Sequence, residues 1–156
     1  MDRYQIIFQA TLNDLDTVYN ICKNTIKAVY PSFYPKGAVD YFLEYHSKEK
    51  IKEDILNGYV YIHKFQGEVF GTISFKDNQI YRFFVEPKYQ NQGYGKQLIV
   101  YAEWMIFKTY DKVILDASFP SKNLYLKNGY KEIEYNKIET KNGDKLCFDV
   151  MEKKKD

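Results

Sequence analysis

The sequence predicts a mixed α/β (α+β) fold in which helices flank a central, mostly antiparallel sheet. Three observations predict it. Apolar residues recur at helical spacing as far as Leu56, alternate with period two from 59 to 85, and return to helical spacing after a glycine-bearing loop at 86–96. The chain has 156 residues and no linker-like stretch in its middle, so a single domain over 1–156 is expected.

Residues 4–9 read as a short strand, after which Thr11 or Asn13 offers an oxygen to cap a helix carrying Leu15, Val18, Tyr19, Cys22 and Ile26. Pro31 and Pro35 end that pattern just beyond Tyr30. A second helical stretch puts Val39, Phe42, Leu43 and His46 on one face. Ser47 can cap a further turn with Ile51, Ile55 and Leu56, stopped by Asn57-Gly58. Strands at 59–65, 68–76 and 79–85 are joined through Gln66-Gly67 and Asp77-Asn78 as an antiparallel meander. A helix over about 94–108, a buried strand around Val113-Ile114-Leu115 and a short helix near 120–128 follow. The last strands, 130–139 and 144–152, flank Asn142-Gly143, a strong hairpin signal. The predicted order is β-α-α-β-β-β-α-β-α-β-β.

Composition narrows the function classes. Apolar residues at 45% and charged residues at 28% describe a globular chain, and its sixteen tyrosines can line grooves as well as fill cores. A net charge of +2 is small and evenly spread, which argues against a nucleic-acid partner; Lys153, Lys154 and Lys155 read as a solvated tail. Cys22 and Cys147 lie far apart in apolar surroundings, fit no metal-ligand spacing, and read as buried thiols in a reducing compartment. Neither a signal peptide nor a membrane span is recognisable, so a cytoplasmic protein without a membrane partner is expected.

Chemistry concentrates in Val85-Glu86-Pro87-Lys88-Tyr89-Gln90-Asn91-Gln92-Gly93-Tyr94-Gly95-Lys96, between a strand and a helix. The first amides of a helix lack intrahelical partners and carry the positive end of its dipole, so an anion bound there gains charge-assisted bonds. Glycines at 93 and 95 permit close approach and positive φ, and Lys96 adds a cation. A Walker A loop is excluded by spacing. A dinucleotide fingerprint lacks its third glycine, since Leu98 stands there, and Pro87 through Gln92 intervene before the first; Asp116 does follow at roughly the distance of a ribose-binding acid, so nucleotide binding stays as an alternative.

The third pattern, Gln/Arg-x-x-Gly-x-Gly/Ala, is matched by Gln90-Asn91-Gln92-Gly93-Tyr94-Gly95, and with Val85-x-Pro87 before it the segment resembles the coenzyme A signature of the GNAT N-acetyltransferases. A second block, Leu115 through Tyr130, is similar to that family's strand and following helix ending Tyr-x-x-x-Gly-Phe/Tyr. The resemblance covers the whole order of elements. It implies a GNAT-like fold, acetyl-CoA as cosubstrate, no metal, and direct transfer to a primary amine of a small molecule or peptide. The backbones of Phe83 and Val85 would pair with the pantetheine arm, Gln90, Asn91, Gln92, Gly93, Tyr94, Gly95 and Lys96 would hold the phosphates, and Tyr125 would be the general acid that protonates the departing thiolate. The chain departs from the pattern at Ser118, where many relatives have Asn, and at Ser121, often Ala; Ser118 can still offer the cofactor a hydrogen bond. The same fold could also serve a non-catalytic acyl-CoA-binding module.

An alkylamine with a pKa of roughly 10.4 must lose a proton before attack. Glu86, Asp116, His63 and Glu68 are chemically able to take it, directly or through water. Main-chain amides near Phe84 could polarise the thioester carbonyl. Arg82 could grip a substrate carboxylate or phosphate, or could be ion-paired in the fold. The ring-rich stretch from Tyr30 through Tyr34, with Tyr41, Tyr45 and His46, could hold a cationic acceptor or could be a packed lid. A homodimer through the C-terminal hairpin or exposed rings is a further expectation.

Overall fold

The computed structural model describes residues 6–156. Seven strands form one sheet in the order β1-β2-β3-β4-β5-β7-β6: β1 (Ile7–Gln9), β2 (Val60–Phe65), β3 (Glu68–Lys76), β4 (Gln79–Val85), β5 (Lys112–Ala117), β6 (Lys131–Glu139) and β7 (Lys145–Lys154). Every pairing is antiparallel except β4 with β5. The predicted strand at 4–9 lies partly outside the described residues; its described part is β1.

The first predicted helix is a 3₁₀ turn, Leu12–Asp14, continuing into α1 (Leu15–Val29), with the Thr11 N–H bonded to Asp14 Oδ2 at 2.8 Å. The second helical stretch is two helices, α2 (Lys36–Tyr45) and α3 (Lys48–Leu56). His46 and Ser47 leave the helical region between them, and Ser47 Oγ accepts from the Lys50 N–H at 3.4 Å. Three helices therefore precede β2. After β4 come α4 (Tyr94–Ile106) and α5 (Lys122–Lys127), the latter entered by a 3₁₀ turn at Phe119–Ser121.

The sheet separates two apolar cores. Val18, Ile21, Cys22 and Ile26 of α1 pack with Ile51 of α3, Val60, Ile62 and Phe84 on one side. On the other, Leu98, Ile99 and Ala102 of α4 pack with Ile73, Ile80, Val113, Leu115 and Met151. Ile80 and Phe84 fall on opposite sides although both are even-numbered. The reason is a bulge: Ser74 pairs with Arg82 but Phe75 with Ile80, so Tyr81 is an extra residue that reverses the inward–outward alternation of β4.

A hairpin closes at Asn142-Gly143 as predicted, but through a longer loop in which only Gly143 is left-handed, φ 86°, with the Thr140 N–H bonded to the Asp144 carbonyl at 2.8 Å. Asp144 Oδ2 also accepts from the Gly37 N–H at 2.8 Å, which pins the start of α2 to the hairpin tip. The lysine run is not a solvated tail. β7 extends through Lys154, Lys153 Nζ meets Glu103 Oε1 at 3.0 Å, and Lys155 Nζ donates to the Phe107 carbonyl at 2.8 Å. Cys22 is fully buried, which pushes its thiol up to about 12, whereas Cys147 is only half-buried. Among the described residues no helix is long and apolar enough to cross a membrane.

Candidate active site

The site begins where the sheet opens. β4 and β5 pair only at Gln79 with Ile114 and Ile80 with Leu115, and the bulge at Tyr81 falls where that pairing ends. A bulge bends its strand, so the C-terminal half of β4 leaves β5 and exposes an unpaired backbone edge. The Glu86 N–H donates to the Phe70 carbonyl at 2.9 Å, toward β3. Backbone groups alternate with period two, so those of Phe84 also face β3 while those of Phe83 and Val85 face the gap. The Val85 carbonyl there accepts from Gln90 Nε2 at 3.0 Å.

A groove runs along this edge to the start of α4, lined among others by Thr25, Phe83, Val85, Gln90, Gly93 and Lys96. Gly93 caps α4 with φ 91°, the left-handed region that costs residues with a Cβ, and Asn91 is also left-handed at φ 64°. The first intrahelical bond is from Gln97 N–H to the Gly93 carbonyl, 3.1 Å, which leaves the amides of Tyr94, Gly95 and Lys96 without intrahelical acceptors. Gly95 has a different role from Gly93: a Cβ on it would lie 3.3 Å from Phe83 Cζ and 3.5 Å from Val85 Cγ2, so its absence brings the helix close to β4. Gly93, Gly95 and Lys96 line the groove, so free amides at a helix start and a cation lie beside it, which suits a pyrophosphate.

A second cavity meets this groove at Tyr30, Phe83, Phe84 and Ser121, which border both. Tyr41, Phe42, Tyr45 and His46 of the α2 region cover it, Phe148 and Leu146 of β7 wall it, and Asp116 and Tyr125 border it from β5 and α5. Tyr125 is 5% exposed, with its ring against Phe83 and Tyr130, and its hydroxyl has no hydrogen-bond partner among the described residues. Burial, then the neighbouring Tyr30, raises its pKa well above that of a free phenol, so it stays protonated. Asp116 is raised too, by desolvation first and then by Glu134.

A family profile described as an acetyltransferase (GNAT) domain matches residues 29–154 of the chain. The chain belongs to the GNAT acetyltransferase family. Solved structures of the same fold include an N-acetyltransferase of Rhodopseudomonas palustris (TM-score 0.84, 22% identity, covering 95% of this chain and 94% of that one). The PaiA N-acetyltransferase of Thermoplasma acidophilum, solved with coenzyme A, gives a TM-score of 0.74 at 23% identity, covering 95% and 97%. YncA of Salmonella typhimurium, solved with acetyl-CoA, gives 0.68 at 18%, covering 96% and 93%. No curated protein sequence matches the chain. At these identities the structural likeness is one of fold.

The GNAT domain brings Phe83, Val85, Gln90, Asn91, Gly93, Gly95 and Lys96 to the groove, and Tyr41, Asp116, Ser118 and Tyr125 to the cavity. Some side chains depart from the expectation, and for Arg82 the ion-paired alternative holds. The Tyr94 ring stacks on Phe70 at 4.6 Å, and Tyr94 does not line the groove. Tyr34 is buried outside both spaces: its ring stacks on Phe119 at 5.0 Å, its hydroxyl accepts from the Phe119 N–H at 2.8 Å, and burial pushes its pKa up to about 12. It shapes the loop before α5 and borders neither the groove nor the cavity. Arg82 borders the cavity, but its NH1 is held by Asp54 Oδ2 at 2.9 Å and Ser74 Oγ at 3.0 Å, and its Nε donates to His46 Nδ1 at 3.2 Å. At 2% exposure its guanidinium is tied to the fold through NH1 and Nε.

Gln92 is exposed, and its side-chain amide turns back to the Lys88 carbonyl at 3.3 Å. Ser118 Oγ lies in a hydroxyl chain, 3.3 Å from both Tyr30 Oη and Ser121 Oγ. Of the four candidate bases only Asp116 borders the cavity. His63 is buried on the α4 side, 2.6 Å from Gln97 Oε1, while Glu68 bonds the Tyr89 hydroxyl at the surface. Sequence reasoning missed Gln79 and Tyr81 at the rim; their signal, the bulge, depends on pairing with β3 and is not written in β4 alone.

Proposed function

We propose that the domain, residues 1–156, is an acetyl-CoA-dependent N-acetyltransferase that transfers acetyl directly to a primary amine of a small molecule or peptide. The observation that carries this reading is the meeting of two spaces at the open end of β4. One carries free helix amides suited to a pyrophosphate, and the other carries Asp116 and Tyr125. Acetyl-CoA would supply a thioester carbonyl at their junction. Asp116, which borders the cavity, takes the proton of the ammonium directly or through a water. As the new N–C bond forms and the C–S bond breaks, Tyr125 donates its proton to the leaving sulfur, and the second proton shed by the nitrogen, passed directly or through water, restores the Tyr125 phenol. The Phe83 and Val85 backbones, which face the gap, are placed to pair with an extended pantetheine arm. Unpaired thiols at Cys22 and Cys147 fit a reducing, cytoplasmic setting.

The test is a thermal-shift titration with acetyl-CoA, coenzyme A, NAD and ATP, followed by turnover of an amine panel by the wild type and Tyr125→Phe. Coenzyme A compounds alone should raise the melting temperature. Tyr125→Phe should lower kcat by roughly 10²-fold or more while leaving coenzyme A affinity and melting temperature unchanged, because its hydroxyl bonds nothing in the fold. Stabilisation by NAD or ATP instead would remove the basis of the proposal, and coenzyme A binding with no amine turned over would leave a binding module.

A further inference from the structure

His46 follows the last residue of α2 and is 6% exposed, and it borders the acceptor cavity but not the groove. Its Nδ1 accepts from Arg82 Nε at 3.2 Å. A guanidinium is always charged and can only donate, so this bond decides the tautomer: Nδ1 carries the lone pair and the neutral ring keeps its proton on Nε2. Arg82 cannot turn away, because Asp54 and Ser74 hold its NH1. The ring plane is fixed as well, edge-to-face against Phe84 at 5.1 Å and against Tyr45 at 4.9 Å. Burial, then the positive charges of Arg82 and Lys50, keeps the imidazole well below its ordinary pKa, so the ring is neutral at physiological pH. Nε2 has no partner among the described residues, yet it is not sealed off as His63 Nδ1 is.

The tyrosine hydroxyls around the cavity can turn to donate or accept, whereas Nε2–H of His46 can only donate. A buried donor left unmatched in the complex weakens binding by about tenfold or more, so a substrate lacking a matching acceptor is disfavoured. We infer that His46 is a substrate-recognition residue whose Nε2–H donates to an oxygen of the acceptor, so that the preferred acceptors are amines that also carry a carbonyl, carboxamide or carboxylate oxygen. Plain alkylamines and polyamines are then poor substrates. The inference rests on the proposed transferase reading and names its substrate class.

Two readouts test it. Long-range ¹H–¹⁵N spectra of the labelled protein with coenzyme A should show His46 as the neutral Nε2–H tautomer between pH 6 and about 8. Leucinamide should perturb that nitrogen and isopentylamine should not. An Nδ1–H tautomer, a protonated ring, or equal perturbation by both amines would overturn the inference, and none of these needs turnover. The second readout is kcat/KM for the same two amines in the wild type, His46→Asn and His46→Gln. Asn can still accept from Arg82 but offers the cavity no donor at the Nε2 place, whereas Gln can put an amide N–H there. The Asn variant should lower the leucinamide-to-isopentylamine ratio by about tenfold, through KM more than kcat, and Gln should restore part of it. Differences in amine basicity cancel between variant and wild type. An unchanged ratio in the Asn variant would refute the role, as would turnover of other amines but not of leucinamide; coenzyme A binding with no amine of the panel turned over would instead overturn the transferase reading, and the inference with it.

Discussion

Replacing Arg82 by Met keeps the stem of the side chain and removes the charge, and the structure gives the cost. The guanidinium side chain is 1% exposed and its partner Asp54 is 20% exposed, with 2.9 Å between NH1 and Oδ2. Removing one partner of a buried pair costs about 3–5 kcal/mol, because the other charge stays behind without its partner. Asp54 retains some contact with water, which lowers that figure, but Ser74 Oγ and His46 Nδ1 each lose a donor as well, at about 1 kcal/mol or more apiece. The expected loss is therefore about 3–4 kcal/mol, or a melting temperature lower by roughly 6–16 °C for a domain of this size. Urea unfolding of wild type, Arg82→Met, Asp54→Asn and the double variant measures it. The cycle should return a coupling of at least about 1 kcal/mol, the double variant being less damaged than the sum of the singles. A loss below about 1 kcal/mol for Arg82→Met, with no coupling, would mean that the guanidinium is solvated, and the tautomer argument for His46 would go with it.

Gly93→Ala meets no atom within 4 Å, so its only cost is the left-handed backbone at φ 91°, about 1–2 kcal/mol; thermal unfolding should show that loss, and calorimetry should show weaker acetyl-CoA binding as the free amides shift. Because Asp116 has a raised pKa, its basic form disappears earlier as pH falls, so the acid limb of kcat should lie above the ordinary aspartate value of about 3.9; Glu134→Gln removes one cause and should move that limb to lower pH, and an unmoved limb would point to another base. Tyr34→Phe keeps the stack on Phe119 but takes away the acceptor for its N–H, and should cost about 1–2 kcal/mol in urea unfolding without changing which amines are accepted.

Much of this was legible in the chain itself. Period-two alternation placed β2, β3 and β4 to within a residue, Asn142-Gly143 placed the last turn, and Gly93 marked the left-handed entry to α4, because periodicity and turn chemistry are properties of a few neighbouring residues. The order of two motifs was enough to point to the family. Tertiary structure decided which side of the sheet each β4 side chain took, since the bulge at Tyr81 exists only in the register with β3. It also decided the fate of charged and polar groups. Arg82 is a folded-in ion pair because Asp54 and His46, 28 and 36 residues away, close on it. Tyr34 holds a loop 85 residues distant, and Lys153 turns inward to Glu103. Whether a polar side chain faces water, a partner or a substrate depends on which distant groups replace its hydration, and that is fixed only when the chain has packed.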